Sequence, residues 1–223
     1  MPRQVNKTVY KYAELSDRAK QKARGWWAEL EASSGDHTYA ECATDELQRF
    51  GKMLGIEIAK RGSELRVCWD TNPIGASFTS KWRARNVDIA QLLDDVPAST
   101  AEHKMPQNDL LRSIALSIQA IAQRYPDAHG ATDAGRDSHH MTASVDLSAD
   151  HDDETHTRAE WAEIEREEDD TRERMEGYLI ELAGWYATEV NAAYEYSYSD
   201  EAIAESIEAN ECEFNSDGSA YHE

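Results

Sequence analysis

A chain of 223 residues with 40% hydrophobic side chains, six Trp and ten Tyr carries enough large apolar surface for one large folded domain or two small ones, which excludes wholesale disorder. No apolar run approaches the ~18 residues a membrane-spanning helix needs, and the polar, basic start "MPRQVNKTVYKY" lacks a signal-peptide pattern, so the expectation is a cytoplasmic protein with no membrane partner. A formal net charge of −21 argues against direct binding of nucleic acid, because holding phosphates takes a positive field.

The charge is unevenly placed. Residues 1–149 hold 20 acids and 19 bases, whereas residues 150–223 hold 24 acids and 4 bases. The first 24 residues reverse the balance, with Arg3, Lys7, Lys11, Arg18, Lys20, Lys22 and Arg24 facing only Glu14 and Asp17. Such segregation points either to complementarity within the molecule or to an acidic surface for a basic partner. The three cysteines Cys42, Cys68 and Cys212 are too scattered for a disulfide framework or a zinc knuckle, and are expected as reduced, mostly buried thiols.

In chain order, "TVYKYAEL" alternates as a short strand. Ser16 caps a helix in which Ala19, Ala23, Trp26, Trp27 and Leu30 recur at helical spacing. A second helix over 38–54 carries the stripe Ala43, Leu47, Phe50 and Leu54 and ends at Gly55. The period then changes to two. Ile56 and Ile58, then Leu65, Val67 and Trp69, flank Arg61-Gly62-Ser63 and predict a hairpin, with "GASFTSKWRA" as a third strand. A short helix "NVDIAQLLDDV" precedes Pro97, and residues 98–106 read as loop. Residues 108–125 form the clearest amphipathic helix, with Leu110, Leu111, Ile114, Leu116, Ile118 and Ile121 on a broad apolar face. Residues 126–140 read as loop, and Met141, Ala143, Val145 and Leu147 alternate as a strand.

From Glu154 a helical pattern runs to about Ser197, polar at its start and apolar at its end, where Tyr178, Leu179, Leu182, Trp185, Tyr186 and Val190 repeat at three-four spacing. Gly177 and Gly184 suggest close approach of another element. Ser199 caps a last helix, and "ECEFNSDG" closes as an edge strand and turn. The expected fold is α+β: an antiparallel sheet of about four to six short strands packed by helices, with a long acidic C-terminal helix. Residues 1–150 are expected as the α+β core and 151–223 as an acidic helical region, within one cooperative domain.

The blocks "VYKYAELSDRAKQKARGWW", "LGIEI", "GASFTSKW", "SHHMTASVDL" and "YEYSYSDEAIAESIEANECEFNSDG" together resemble a family of small accessory proteins of tailed phages and prophages. The resemblance spans most of the chain in short pieces and is most specific at the two ends. The chain departs from the family's pattern before "GASF", where Ile74 replaces an aspartate, so no role of that aspartate carries over. The resemblance implies a viral protein acting in the host cytoplasm and supplies no reaction.

Candidate chemistry is sparse. His129, His139, His140, His151 and His156 lie near Asp146, Asp150, Asp152 and Asp153, but mostly in expected loop and at no metal-ligand spacing. There is no nucleophile elbow, no phosphate-cradling glycine loop and no Cys beside a His. No catalytic residue, metal site or cofactor is therefore expected. A metal-dependent enzyme acting on a small nucleotide ranks third among the readings.

The acids carry the leading reading. Residues 160–176 hold nine acids and three arginines. Over that helix, roughly 24 Å long, duplex DNA would present about 14 charges. A DNA-like decoy thus needs further acidic elements, which Asp200, Glu201, Glu205, Glu208, Glu211 and Glu213 can supply. The expectation is a phage-encoded inhibitor of a host restriction or CRISPR-type system. It would grip a basic host protein or nucleoprotein complex through Glu163, Glu167, Asp170, Glu173, Glu201, Glu205 and Glu208, with Trp161 and Tyr178 as anchors. The alternative is a self-associating structural or regulatory protein. In that reading the basic first strand and helix of one copy pair with the acidic helix of another, as in a homodimer.

Overall fold

The computed structural model describes residues 8–34, 38–135, 140–147 and 157–221. In chain order the elements are β1 (Tyr10–Lys11), α1 (Asp17–Ser34), α2 (Glu41–Met53), β2 (Leu54–Ile58), β3 (Lys60–Arg61), β4 (Glu64–Leu65), β5 (Val67–Thr71), β6 (Ile74–Phe78) and β7 (Ser80–Val87). These are followed by α3 (Ala90–Asp95), α4 (Pro106–Arg124), β8 (His129–Ala134), β9 (Met141–Asp146), α5 (Arg158–Ser197), α6 (Asp200–Ala209) and β10 (Glu213–Phe214). The class is α+β, and the long helix α5 is continuous across its acidic half. Two compact units emerge: the chain ends, Met1–Glu41 with Ala192–Glu223, and the central stretch Cys42–Asn191.

The unit of the chain ends is built on a two-stranded antiparallel pair in which Tyr10 faces Phe214 and Lys11 faces Glu213. Its core gathers Tyr12, Leu15, Ala19, Ala23, Ile203, Ile207 and Phe214. Trp26 leans on Phe214 edge-to-face, with ring centroids 5.8 Å apart. Ser16 and Ser199 start the two helices: each side-chain oxygen accepts a backbone N–H three residues on, at 3.4 and 3.2 Å. Only Tyr10–Lys11 of "TVYKYAEL" is strand, because Tyr12–Glu14 turns into a 3-10 helix that delivers Tyr12 and Leu15 to the core. Gly218 has φ +83, and a Cβ placed there would lie 2.1 Å from the Ala19 carbonyl oxygen. The Asp-Gly turn therefore packs directly onto the first turn of α1.

The central unit holds a four-stranded antiparallel sheet in the order β2-β7-β8-β9. Along β7 the even-numbered Ser80, Trp82 and Ala84 are buried while Lys81, Arg83 and Arg85 are exposed, so one face is covered and the other open. The covered face meets α4, whose Leu111, Ile114, Ile118 and Ile121 are buried, and Trp82 donates its indole hydrogen to the Leu54 carbonyl at 3.1 Å. Leu110 and Leu116, expected on the same apolar face, are 36% and 50% exposed, so the buried stripe is narrower than the sequence suggests. The same unit buries Leu47 and Phe50 of α2 and Met175, Leu179, Leu182, Trp185, Tyr186 and Val190 of α5. Thr44 and Tyr186 share a hydroxyl hydrogen bond of 2.8 Å.

Several expectations are corrected here. Ile56 and Ile58 do not pair with Val67 and Trp69; β2 pairs with β7, and the turn at Gly62 joins only the short β3 and β4. Period-two alternation says which face a residue shows, and leaves the neighbouring strand open. "GASFTSKWRA" is two strands broken at Thr79, with β6 paired to β5 around Asn72-Pro73 and β7 entering the main sheet. The expected loop 126–140 contains β8, a strand without a large apolar side chain. It is held by Thr132, which donates to the Phe78 carbonyl at 2.7 Å, and by Gly130, where a Cβ would lie 2.7 Å from the Ser144 carbonyl. Gly177 and Gly184 mark no close approach, since an added Cβ would meet nothing within 4 Å. Cys42 is exposed rather than buried, and all three cysteines are free.

Substituting Gly218→Ala combines a left-handed backbone with a collision against Ala19, and should cost about 2 kcal/mol or more in denaturant unfolding. Gly62→Ala serves as the control. It has φ +67 with nothing within 4 Å, and should lose only about 1 kcal/mol. Equal losses at the two positions would show that the Asp-Gly turn does not pack as described.

Candidate functional site

The nine residues expected at a partner surface fall into two sets, Trp161 to Tyr178 in the central unit and Glu201 to Glu208 in the unit of the chain ends. On α5, Glu163, Glu167, Asp170 and Glu173 are all exposed. At about 100° per residue the first three lie within about 60° of one another, and Glu173 about 60° further round. Glu165 and Asp169 are also exposed and point elsewhere, so acids wrap much of the solvent side of this helix. Some are engaged within the chain. Glu167 meets Arg124 at 2.6 Å, Asp169 pairs with Arg172, and Glu176 accepts the Val145 backbone N–H at 3.1 Å. The Arg124 guanidinium holds the Glu167 carboxyl below the usual carboxylate range. Trp161 and Tyr178 are half-buried, so neither stands out as a fully presented anchor.

The second set is more ordered. Glu201, Glu205 and Glu208 are exposed, lie within about 60° on α6, and sit opposite the buried Ile203 and Ile207. They span about 10.5 Å along the axis. None forms an ion pair with a described residue. Their neighbours do: Arg24 pairs with Asp200 at 2.9 Å, Lys22 with Asp217 at 2.7 Å, and Lys11 with Glu213 at 3.4 Å. Three of the N-terminal cations that the self-association reading would assign to another copy are thus set against acids of their own unit. Lys22 and the hydrogen bonds from Ser219 hold the Asp217 carboxyl well below the usual range.

One group went unmarked in the sequence. Tyr194, in the last turn of α5, and Tyr198, just past its end, stack tilted with centroids 4.8 Å apart, and Tyr39 meets Tyr194 edge-on at 5.5 Å. Trp27 donates its indole hydrogen to Glu31 at 2.8 Å, and the Glu31 charge acts on the Tyr198 phenol. Burial, together with the neighbouring phenols, raises the Tyr39 and Tyr198 pKa values, so both hydroxyls keep their protons in neutral solution. Tyr194 and Tyr198 stand four apart in "YEYSYS", which is legible as a shared helix face; Tyr39 and Glu31 come from another part of the chain and carry no such signal.

Among the described residues no group of three or more metal-ligating side chains gathers, and no helix is long and apolar enough to cross a membrane. His129 and His140 are exposed, whereas His139, His151, His156, Asp150, Asp152 and Asp153 lie outside the described residues. Comparison with protein-family models, curated proteins and solved structures finds no match to the chain.

Glu189, half-buried on α5 beside Glu46, has its pKa raised, first by burial and then by that second carboxylate. A carboxyl whose folded pKa exceeds its unfolded value, about 4.3, binds its proton more tightly when folded, so acidification from neutral toward that range adds stability here. Glu189→Gln should raise the melting temperature at neutral pH and reduce the stabilisation gained on mild acidification. A melting temperature lowered at neutral pH would contradict the assignment.

Proposed function

We propose that the protein is a phage-encoded inhibitor of a host nucleic-acid-targeting defence system. It takes hold of a basic host protein or nucleoprotein complex through carboxylates that stand where DNA phosphates would stand. The observation that carries the reading is the stripe Glu201, Glu205 and Glu208: exposed, aligned, opposite the core of its helix and unmatched by described cations. Along about 10.5 Å it offers three negative charges, where one strand of duplex DNA would offer about four at ~3.4 Å spacing. The outer carboxylates of α5, Glu163, Asp170 and Glu173, form a second acidic surface. The resemblance of the sequence blocks to tailed-phage accessory proteins supplies the setting.

The physics is that of a decoy. A basic groove already attracts phosphates, and ordered carboxylates on a folded frame engage the same field without the entropy cost of arranging them. Attraction of this kind speeds encounter and weakens as salt shortens the screening length to ~8 Å at physiological strength.

Charge reversal at Glu201→Lys, Glu205→Lys and Glu208→Lys should abolish recovery of a basic partner from host cells. Charge reversal at Glu163, Asp170 and Glu173 should weaken it. A recovered complex should release the protein when double-stranded DNA is added in excess. Recovery that survives both sets of reversals at every salt concentration, or a complex indifferent to DNA, would rule the decoy out.

A further inference from the structure

An electrostatic stripe alone fixes neither register nor residence time, because exposed charge pairs contribute little each. A lasting interface needs an anchor, and Trp, Tyr and Arg are the side chains enriched at such places. The unit of the chain ends offers such a place. Tyr39, Tyr194 and Tyr198 form a contiguous run of rings, each half-buried, so each keeps part of its surface in water. Glu31 of α1 belongs to the same unit. Its Oε1 accepts the Trp27 indole hydrogen at 2.8 Å, and its charge acts on the Tyr198 phenol. A carboxylate has about four acceptor sites, so one indole bond leaves room for a further donor. Tyr198 stands three residues before Glu201, the first member of the acidic stripe.

Ring faces with a carboxylate within electrostatic reach attract a planar cation. The quadrupole of each ring draws positive charge to its face, and guanidinium also stacks flat while its forked N–H groups meet a carboxylate. An ammonium group makes the electrostatic contact without the stacking. We infer that the cluster of Tyr39, Tyr194, Tyr198, Trp27 and Glu31 is an anchoring site for an arginine side chain of a basic protein partner. This rests on the reading of the protein as an acidic binder, and it adds what that reading leaves open: a preference for arginine over lysine, and a point at which the complex is pinned.

The test separates the two ideas. The probes are a short acetylated peptide alternating arginine with glycine and its lysine counterpart of equal charge, titrated into the full chain at physiological salt. The arginine peptide should bind more tightly, by about tenfold, and should move the Trp27 indole N–H resonance. Tyr194→Leu and Glu31→Gln should each erase the preference while leaving the salt dependence in place. Tyr194→Phe, which keeps the ring, should retain it. Equal affinity for the two peptides in the wild-type chain, a Trp27 signal unmoved by the arginine peptide, or a preference that survives both Tyr194→Leu and Glu31→Gln would overturn the anchor. Should Tyr194→Leu fail to fold, Glu31→Gln and the indole signal decide. The triple change Glu201→Gln, Glu205→Gln and Glu208→Gln should instead weaken both peptides alike and flatten the salt dependence. If that triple variant held the host partner as firmly as wild type, the decoy reading would fail whatever the tyrosine variants did.

Discussion

Pairing of the first strand with the last decides which charges of the C-terminal region are answered by the chain itself. The register that sets Tyr10 opposite Phe214 and Lys11 opposite Glu213 carries Phe214 into the core formed by Tyr12, Leu15, Ala19 and Ala23. Packing of Gly218 against Ala19 holds the closing turn on α1. Once these contacts are made, Lys11, Lys22 and Arg24 have little freedom in their choice of partner, and they meet Glu213, Asp217 and Asp200. The basic start of the chain thus balances the margins of its acidic end. The outward stripe of α6 is left with Glu201, Glu205 and Glu208.

Those ion pairs are positional more than stabilising. Lys11, Lys22, Glu213 and Asp217 all keep between 43% and 61% of their side-chain surface in water, and pairs of that kind contribute about 0–1 kcal/mol each. The unit holds together through Phe214, Ile203 and Ile207 instead. Helix α6 has ten residues, shorter than a helix stable on its own in water, so burial of that face is what keeps it folded. Its acids work against it in part. Neighbouring carboxylates at four- and three-residue spacing repel by about 0.2–0.5 kcal/mol a pair, and Glu208 sits at the negative end of the helix dipole. Asp200 and Glu201, at the start, are favourably placed.

How much of this was legible depended on the range of the interaction. Helices with an apolar stripe came through well: Ala43, Leu47 and Phe50 of α2 are buried, and Ser199 caps α6 as its position suggested, although Leu54, expected at the end of the same helix as that stripe, opens β2 instead. Local spacing fixes such features. Strand partners were another matter, because Ile56 and Trp82 meet across 26 residues of chain and nothing in either segment names the other. β8 was missed because its residues are small and polar; it becomes a strand through neighbours such as Phe78 and Ser144, which no local pattern reveals. The acidic surfaces were visible as composition, yet composition could not say that Glu167 would be tied to Arg124 while Glu205 would meet no cation among the described residues. The tyrosine cluster was half legible, since Tyr194 and Tyr198 stand four apart in the sequence and Tyr39 arrives from elsewhere in the chain.

Order of charge, more than amount, separates a binding surface from a solvating coat. A coat needs only to keep the chain in water, and acids pointing in every free direction serve that end. The first half of α5 is close to this state: its carboxylates wrap the exposed side and several are answered locally. Helix α6 is different. Its acids Glu201, Glu205 and Glu208 fall on one line, opposite its buried face, at some cost to the helix that bears them, and Lys22 and Arg24 of the same unit are set against other partners. Solubility does not require that arrangement, because the rest of the chain supplies ample negative charge. A partner with its own line of positive charge does require it, since aligned charges reinforce one another at contact and scattered ones do not. For the basic partner proposed above, the stripe on α6, with an aromatic cluster three residues before it in the chain, is therefore where contact would gain most.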